Sequence, residues 1–90
     1  MKKKIKVVIT LELLERSGEF VDHFNCPLAT FFKELFPDMR ISAGLGNIFD
    51  ASLPGNWRHL YTLDKAFGEK DHELVKNGEI FETIARTEPF

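Results

Sequence analysis

Apolar and polar residues alternate near the start of the chain, over residues 4–10. Ile5, Val7 and Ile9 share one face, and the opposite face carries Val8 with three polar side chains. A period of two is typical of a β-strand that buries one of its faces. The sequence therefore predicts a strand over residues 4–10, whose lysines would protect an exposed edge against aggregation.

A short helix is predicted next, over residues 11–17. Thr10 can cap its first turn through the side-chain hydroxyl, and Gly18 can end it. Residues 19–25 then form a predicted loop with several apolar anchors. A helix this short depends on tertiary packing for its stability.

The strongest helical pattern lies over residues 27–36. Its apolar positions recur with the period of an amphipathic helix: Leu28, Phe31, Phe32, Leu35 and Phe36. Either Asn25 or Cys26 can cap this helix, with Pro27 in the first turn, where a missing N–H group has no consequence. Pro37 ends it, because the residue before a proline is disfavoured in the helical conformation.

The second half of the chain contains further strand patterns. The predicted strands are 39–43, 48–51, 57–63 and 80–85. Residues 57–63 also fit an entry to the next helix, and the strand is favoured. The Gly-Leu-Gly-Asn stretch at 44–47 supplies the residues that a tight hairpin turn favours. A helix is predicted within 62–77, ended by Asn77 and Gly78, and residues 88–90 form a short tail.

These elements predict a single α+β domain over residues 1–90. The expected architecture is a small mixed sheet of three to five strands, with two or three helices packed on one face. The helix at 27–36 is expected to pack on a set of apolar strand residues: Ile5, Val7, Ile9, Ile41 and Phe49. Ninety residues can bury about 60–65% of the extended-chain surface, so such a domain folds with a small margin.

Composition and charge exclude several classes of protein. The formal net charge is −2 with both signs interspersed, and no concentrated basic stripe marks a nucleic-acid partner. The apolar run Ile5 to Ile9 is too short for the apolar region of a signal peptide, and no stretch approaches the ~20 apolar residues of a membrane span. Cys26 is the only cysteine, which rules out an intrachain disulfide and favours a reducing environment. We therefore expect a cytoplasmic protein with no nucleic-acid or membrane partner.

Cys26 is the first candidate for chemistry. The N-terminus of a helix stabilises a thiolate, His23 could serve as its base, and Asp22 could orient that histidine. The difficulty is spacing, because neighbours on one loop seldom converge on a shared substrate. The alternative is a small buried side chain at the helix start, since free cysteine is among the most buried residue types. The second interpretation is favoured.

A metal or nucleotide cofactor is not expected. The possible zinc ligands are His23, Cys26, His59 and His72. Structural zinc sites usually combine two close ligand pairs, and this chain offers one such pair. Gly44 and Gly46 lack the third glycine of a dinucleotide-binding loop, because Phe49 stands at that position.

Aromatic and basic residues are crowded into one short segment after the Pro54–Gly55 turn. They are Trp57, Arg58, His59 and Tyr61. Trp, Tyr and Arg are enriched at the energetic centres of protein interfaces. Trp57, Arg58 and Tyr61 are therefore the predicted partner-binding residues. The alternative, that Trp57 covers the core of a small domain, is favoured on general grounds.

The first half of the chain also carries a resemblance. It combines a strand over 4–10, a short helix, and a second helix start with the sequence Asn25-Cys26-Pro27-Leu28-Ala29. This combination resembles a scattered group of uncharacterised small bacterial and phage proteins. The chain departs from that pattern at Phe31 and Phe32, where smaller residues are expected. The resemblance implies an accessory protein and brings no known activity, cofactor or catalytic residue.

The leading hypothesis is a non-enzymatic accessory or regulatory module that binds another protein. It rests on the small size, the absence of a catalytic constellation in the sequence and the aromatic segment at 57–61. The alternative is a small thiol-dependent enzyme or redox-sensitive protein that uses Cys26 with His23. A third possibility is a homodimer that forms through an exposed sheet edge.

Overall fold

The computed structural model describes residues 2–87, which contain five strands and three helices. Along the chain they are β1 (Lys4–Ile9), α1 (Leu11–Glu15), α2 (Pro27–Leu35), β2 (Ile41–Ala43), β3 (Asn47–Asp50), β4 (Arg58–Leu63), α3 (Glu69–Lys76) and β5 (Phe81–Arg86). Every element expected from the sequence is present within a few residues of its predicted bounds. The tail predicted at 88–90 lies outside the described residues.

The five strands form one sheet in the order β1-β5-β4-β3-β2. The α+β class is thus confirmed, but the sheet is antiparallel at every pairing and not mixed. Short loops join β2, β3 and β4 as hairpins, which only antiparallel neighbours allow. The last strand, β5, then enters between β4 and the first strand, β1, and runs opposite to both.

The first and last strands make the longest ladder of the sheet, from Lys4 opposite Arg86 to Ile9 opposite Phe81. By contrast, β4 and β5 meet at two residue pairs, Thr62 with Arg86 and Leu63 with Ala85. The ladder that links β1 and β5 to the other three strands is therefore short, and the N–H group of Asp64 extends it by donating to the carbonyl oxygen of Ile84 at 2.8 Å.

A bulge interrupts the pairing of β3 with β4. Ile48 lies opposite Tyr61, whereas the next residue, Phe49, lies opposite His59, so Leu60 is the extra residue. A bulge shifts the alternation of side chains by one position and bends the strand. This explains why Leu60 and Tyr61 are consecutive and yet both buried.

The core lies between the sheet and α2. Phe32 of this helix is fully buried, and its ring stacks on Tyr61 with 5.6 Å between centroids. The expected strand partners Val7, Ile9 and Ile41 are buried in the same cluster. Ile5, Phe31 and Phe36 are partly buried at its border.

Two residues that were expected under the helix lie elsewhere. Leu35 is 47% exposed at the end of α2. Phe49 lies outside the buried cluster and is partly exposed, because its neighbour Ile48 occupies the core side of β3. Consecutive strand residues point to opposite faces, so both could not enter the same core.

The outer edge of β2 is covered by the loop that precedes α2. The N–H group of Ala43 donates to the carbonyl oxygen of His23 at 2.8 Å. The loop also approaches α1 closely, where Gly18 donates to the carbonyl oxygen of Asn25 at 2.6 Å. These bonds position the loop residues next to the face of the sheet opposite α2.

Candidate functional site

Three aromatic rings lie together on the face of the sheet opposite α2, and we call Phe24, Phe49 and Trp57 the aromatic patch. The indole of Trp57 lies 5.9 Å from the ring of Phe24, nearly perpendicular to it, and 6.2 Å from the ring of Phe49. Trp57 is nevertheless 51% exposed. These two contacts, one edge-to-face and one tilted, hold the indole in a defined position while leaving it open to solvent.

Phe24 reaches the patch because Asp22 orders the loop before α2. One carboxylate oxygen of Asp22 accepts from the N–H group of Phe24 at 3.0 Å, and the other accepts from the amide of Asn25 at 2.9 Å. The bond from Asn25, followed by that from Phe24, lowers the pKa of Asp22 below its usual value. Asp22 thus acts as a turn-forming residue, and these bonds use the carboxylate that was considered as an orienting group for His23.

Two arginines border the aromatic patch. The guanidinium of Arg40 lies over the ring of Phe24, 4.4 Å from its centroid, which is within the range of a cation–π contact. Arg58 lies 3.3 Å from a carboxylate oxygen of Asp50. Hydrogen bonds from Ser52, first its hydroxyl and then its N–H group, lower the pKa of Asp50, to which Arg58 adds a smaller effect.

A depression of about 290 Å³ opens beside the indole. It is lined by Asp50, Leu53, Asn56, Trp57 and Arg58. Leu53 is 63% exposed at its margin. The depression therefore combines an apolar wall with a carboxylate and a guanidinium.

His59 lies next to the patch on the same face. Its ring contacts that of Phe49 edge-on at 5.3 Å between centroids. Its Nε2 atom lies 3.2 Å from the side-chain oxygen of Asn47 and 3.1 Å from the hydroxyl of Thr62. These contacts hold the imidazole in a polar cluster beside the aromatic rings.

Tyr61, which was predicted with Trp57 and Arg58 as a partner-binding residue, does not lie beside the aromatic patch. It is fully buried on the other face of the sheet, stacked on Phe32 and Phe36. Burial raises the pKa of its phenol above the usual value. Tyr61 faces the core because the bulge at Leu60 shifts the alternation of side chains along β4 by one position.

Cys26 is the N-cap of α2. It is one of the two residues, with Asn25, that were predicted to cap this helix. Its sulfur accepts from the N–H group of Ala29 at 3.4 Å, and the residue is 6% exposed. Burial raises the pKa of the thiol, which is opposite to the thiolate stabilisation considered for a helix N-terminus. The structure describes a capping side chain in an apolar environment.

His23 and Cys26 both line a small apolar cavity of about 170 Å³. The Nδ1 atom of His23 lies 3.1 Å from the carbonyl oxygen of Ala43, and no described hydrogen bond joins the imidazole to the sulfur. The bonds of Asp22 go to Phe24 and Asn25. The three residues are neighbours, but residues 2–87 show no Asp-His-Cys relay.

The four possible zinc ligands are not gathered in one place. His72 packs against Phe20 at 5.1 Å between ring centroids, and His59 lies in the polar cluster beside Phe49. Over residues 2–87, no group of three or more His, Cys, Asp or Glu side chains is placed to hold a metal ion. In the same range, no helix combines the length and apolar character needed to cross a membrane.

Sequence reasoning missed Phe24, Phe49 and Arg40 as members of this site. The outward position of Phe49 could have been predicted, because Ile48 faces the core and the next residue of a strand faces the opposite side. Phe24 and Arg40 come from loops, and no periodic pattern assigns a face to a loop residue. Their place depends on the bonds of Asp22 and on the covered edge of β2.

We compared the chain with models of protein families, with curated proteins and with solved structures, and none of the three comparisons gives a match. The contacts of residues 2–87 are therefore the basis on which a function is proposed.

Proposed function

We propose that this protein is a non-enzymatic interaction module that binds another protein through the aromatic patch. The observation that carries the proposal is the state of Trp57, which is half exposed and yet held between Phe24 and Phe49. A tryptophan used only for stability would gain more from complete burial. Its position on the face of the sheet opposite α2 leaves the indole available to a partner.

The residue types at the patch suit this role. Trp and Arg are enriched among residues that dominate the energy of protein interfaces. Aromatic side chains have few rotatable bonds, so binding costs little conformational entropy when neighbouring rings already fix them. Arg40 and Arg58 supply a polar rim of the kind that surrounds such anchors.

The expected partner presents an apolar side chain next to one or more carboxylates. The apolar group would enter the depression between Leu53 and Trp57. A carboxylate would face Arg40, whose guanidinium lies over Phe24 at the border of the patch. Arginine favours such pairs because its planar donors match a carboxylate.

Single-stranded nucleic acid is the other ligand that binds aromatic sheet faces, by stacking of its bases. Charge disfavours it here. The formal net charge is −2, and the carboxylate of Asp50 lines the depression beside Trp57. That carboxylate is paired with Arg58, and Arg40 and Arg58 are two isolated cations, whereas a groove that binds a phosphate backbone carries a continuous track of positive charge.

The thiol alternative has one observation in its favour, the apolar cavity that Cys26 and His23 share. The raised pKa of the thiol and the absence of a described bond between the two side chains count against an activated nucleophile. We therefore rank it second. The rate at which iodoacetamide labels Cys26 distinguishes it from the interaction module.

The test compares Trp57→Ala with Leu74→Ala. Leu74 is an exposed apolar residue of α3, so its replacement removes a similar kind of surface at a remote place. Proteins captured by the wild type and by Leu74→Ala should be lost from Trp57→Ala, with both variants folded by circular dichroism. Binding to a captured partner should also shift the emission of Trp57, the sole tryptophan, to shorter wavelength.

The proposal fails if the three proteins retain the same partners. It also fails if a single-stranded oligonucleotide binds the wild type and loses its affinity in Trp57→Ala. In that case the aromatic patch would be a base-stacking surface and not a protein-binding one.

A further inference from the structure

The first strand, β1, forms an edge of the sheet. It pairs with β5 on one side, and no other described residue forms a ladder with it on the other side. The opposite edge differs, because β2 is covered by the His23 carbonyl that accepts from Ala43. Within residues 2–87, β1 is thus the edge that remains open.

The hydrogen-bonding groups at this edge follow from the register. The N–H group of Thr87 donates to the carbonyl oxygen of Lys3, which makes this a bonded pair of the antiparallel ladder. Bonded and non-bonded pairs alternate, so the backbone groups of Ile5 and Val7 also point toward β5. The backbone groups of Lys4 and Lys6 then point away from the sheet, where an added strand would find them.

A groove of about 700 Å³ lies beside this edge. It is lined by Lys2, Lys4, Ile5, Lys6, Leu35 and Phe36. Leu35 is 47% exposed, and Phe36 is partly exposed. The groove thus joins an open strand edge to an apolar wall at the end of α2, and all of its charged lining residues are lysines.

We propose that the edge of β1 binds an extended acidic segment of a partner protein, which adds a sixth strand to the sheet. The alternation of a strand gives the partner's pattern. Acidic side chains of the segment would face Lys4 and Lys6, and apolar side chains between them would face Ile5 and Leu35. Backbone bonds give affinity in this mode of recognition, and side chains give specificity.

This site is distinct from the aromatic patch. The patch belongs to β3, β4 and the loop that covers β2, whereas β1 is at the other end of the strand order. Each surface can therefore be tested without altering the other. A failure at one leaves the proposal for the other in place.

A second copy of this chain is a poor occupant of the edge. Pairing β1 with β1 would bring the lysines of both copies together, and like charges directly opposite each other destabilise a sheet. Glu82 is 3.8 Å from Lys6, but both side chains are well exposed, so this contact does not remove the positive character of the groove. A segment rich in carboxylates is the complementary ligand.

The experiment uses the full chain and a fluorescent synthetic peptide in which Glu and Val alternate. Anisotropy should report binding that weakens as salt increases. Lys4→Glu with Lys6→Glu should weaken it by about tenfold or more, since two favourable charge pairs become repulsive. The matched control is Lys70→Glu with Lys76→Glu, the same change of charge on α3, which should bind as the wild type does.

Two further arms separate strand addition from simple charge attraction. A peptide methylated on alternate backbone nitrogens keeps its charge but loses donors, and it should bind more weakly than the parent peptide. A peptide in which Lys and Val alternate should bind the Lys4→Glu, Lys6→Glu variant and not the wild type. This exchange of specificity also shows that the variant is folded.

The proposal is overturned if the methylated peptide binds as well as its parent. It is equally overturned if the control on α3 loses as much affinity as the double variant of β1, or if the acidic peptide does not bind at all. The proposal is also overturned if the wild-type chain forms a dimer that the Lys4→Glu, Lys6→Glu variant does not form, because the edge of β1 would then bind a second copy of this chain.

Discussion

The phenol of Tyr61 donates a hydrogen bond of 2.6 Å to the carbonyl oxygen of Lys2. This bond joins the core of β4 to the residue that leads into β1, 59 positions earlier in the sequence. It lies at the end of the groove proposed to bind an acidic segment, since Lys2 is one of the groove's lining residues. The buried tyrosine therefore helps to position the open edge.

Tyr61→Phe should reduce the free energy of unfolding by about 1 kcal/mol, the usual contribution of one hydrogen bond. The stacking on Phe32 and Phe36 is retained by the new ring, so the loss isolates the bond to Lys2. Urea unfolding followed by circular dichroism measures the difference. An unchanged midpoint would mean that water satisfies the Lys2 carbonyl equally well in the variant.

Gly18→Ala should destabilise the fold by about 1–3 kcal/mol, as overpacking generally does. A β-carbon at this position would lie 2.9 Å from the β-carbon of Asn25, where the two segments approach closely. The matched control is Gly44→Ala, because a β-carbon there meets no atom within 4 Å. Its effect should be within about 1 kcal/mol of the wild type, in either direction.

Thermal unfolding of the two glycine variants, side by side, checks this expectation. If both variants melt together, the contact of Gly18 with Asn25 relaxes at little cost in stability. Because Asn25 follows Phe24 and precedes Cys26, such relaxation would also loosen the loop that orders the aromatic patch.

Cys26 should react slowly with iodoacetamide in the folded protein at neutral pH. Burial raises the pKa of its thiol in the folded state above that of the unfolded chain, which is about 8.5. The neutral thiol is thus stabilised by folding at pH values below the unfolded pKa. That contribution is lost as the pH rises through the folded pKa.

The measurement compares labelling rates of folded and urea-unfolded protein between neutral and alkaline pH. The unfolded chain should be labelled faster throughout, and the folded chain should gain reactivity at higher pH. Faster labelling of the folded protein at neutral pH would contradict the interpretation of Cys26 as a capping residue. It would favour the thiol-dependent alternative with His23.

Local patterns predicted the elements of this fold well. Alternation at Ile5, Val7 and Ile9 identified β1, and Pro27 identified the first turn of α2. These signals act within a few residues and depend on backbone conformations that the residues themselves favour. The pairing of β1 with β5 carries no comparable signal, because it joins the two ends of the sequence.

The candidate site was harder to predict, and one bulge accounts for much of the difference. A regular strand over 57–63 would place Trp57 and Tyr61 on the same face, since they are four residues apart. The extra residue at Leu60 sends Tyr61 to the core and leaves Trp57 outside. Nothing in the neighbouring residue types marks that position as irregular, so the bulge had to be observed.

The partnership of the first strand with the last has a consequence for biosynthesis. While the ribosome is still extending the chain, β1 has already emerged and lacks the strand that will pair with it. Contacts so distant in sequence form late and slowly. Throughout that interval Lys4 and Lys6 give the nascent segment a positive charge that discourages its association with other unfinished chains.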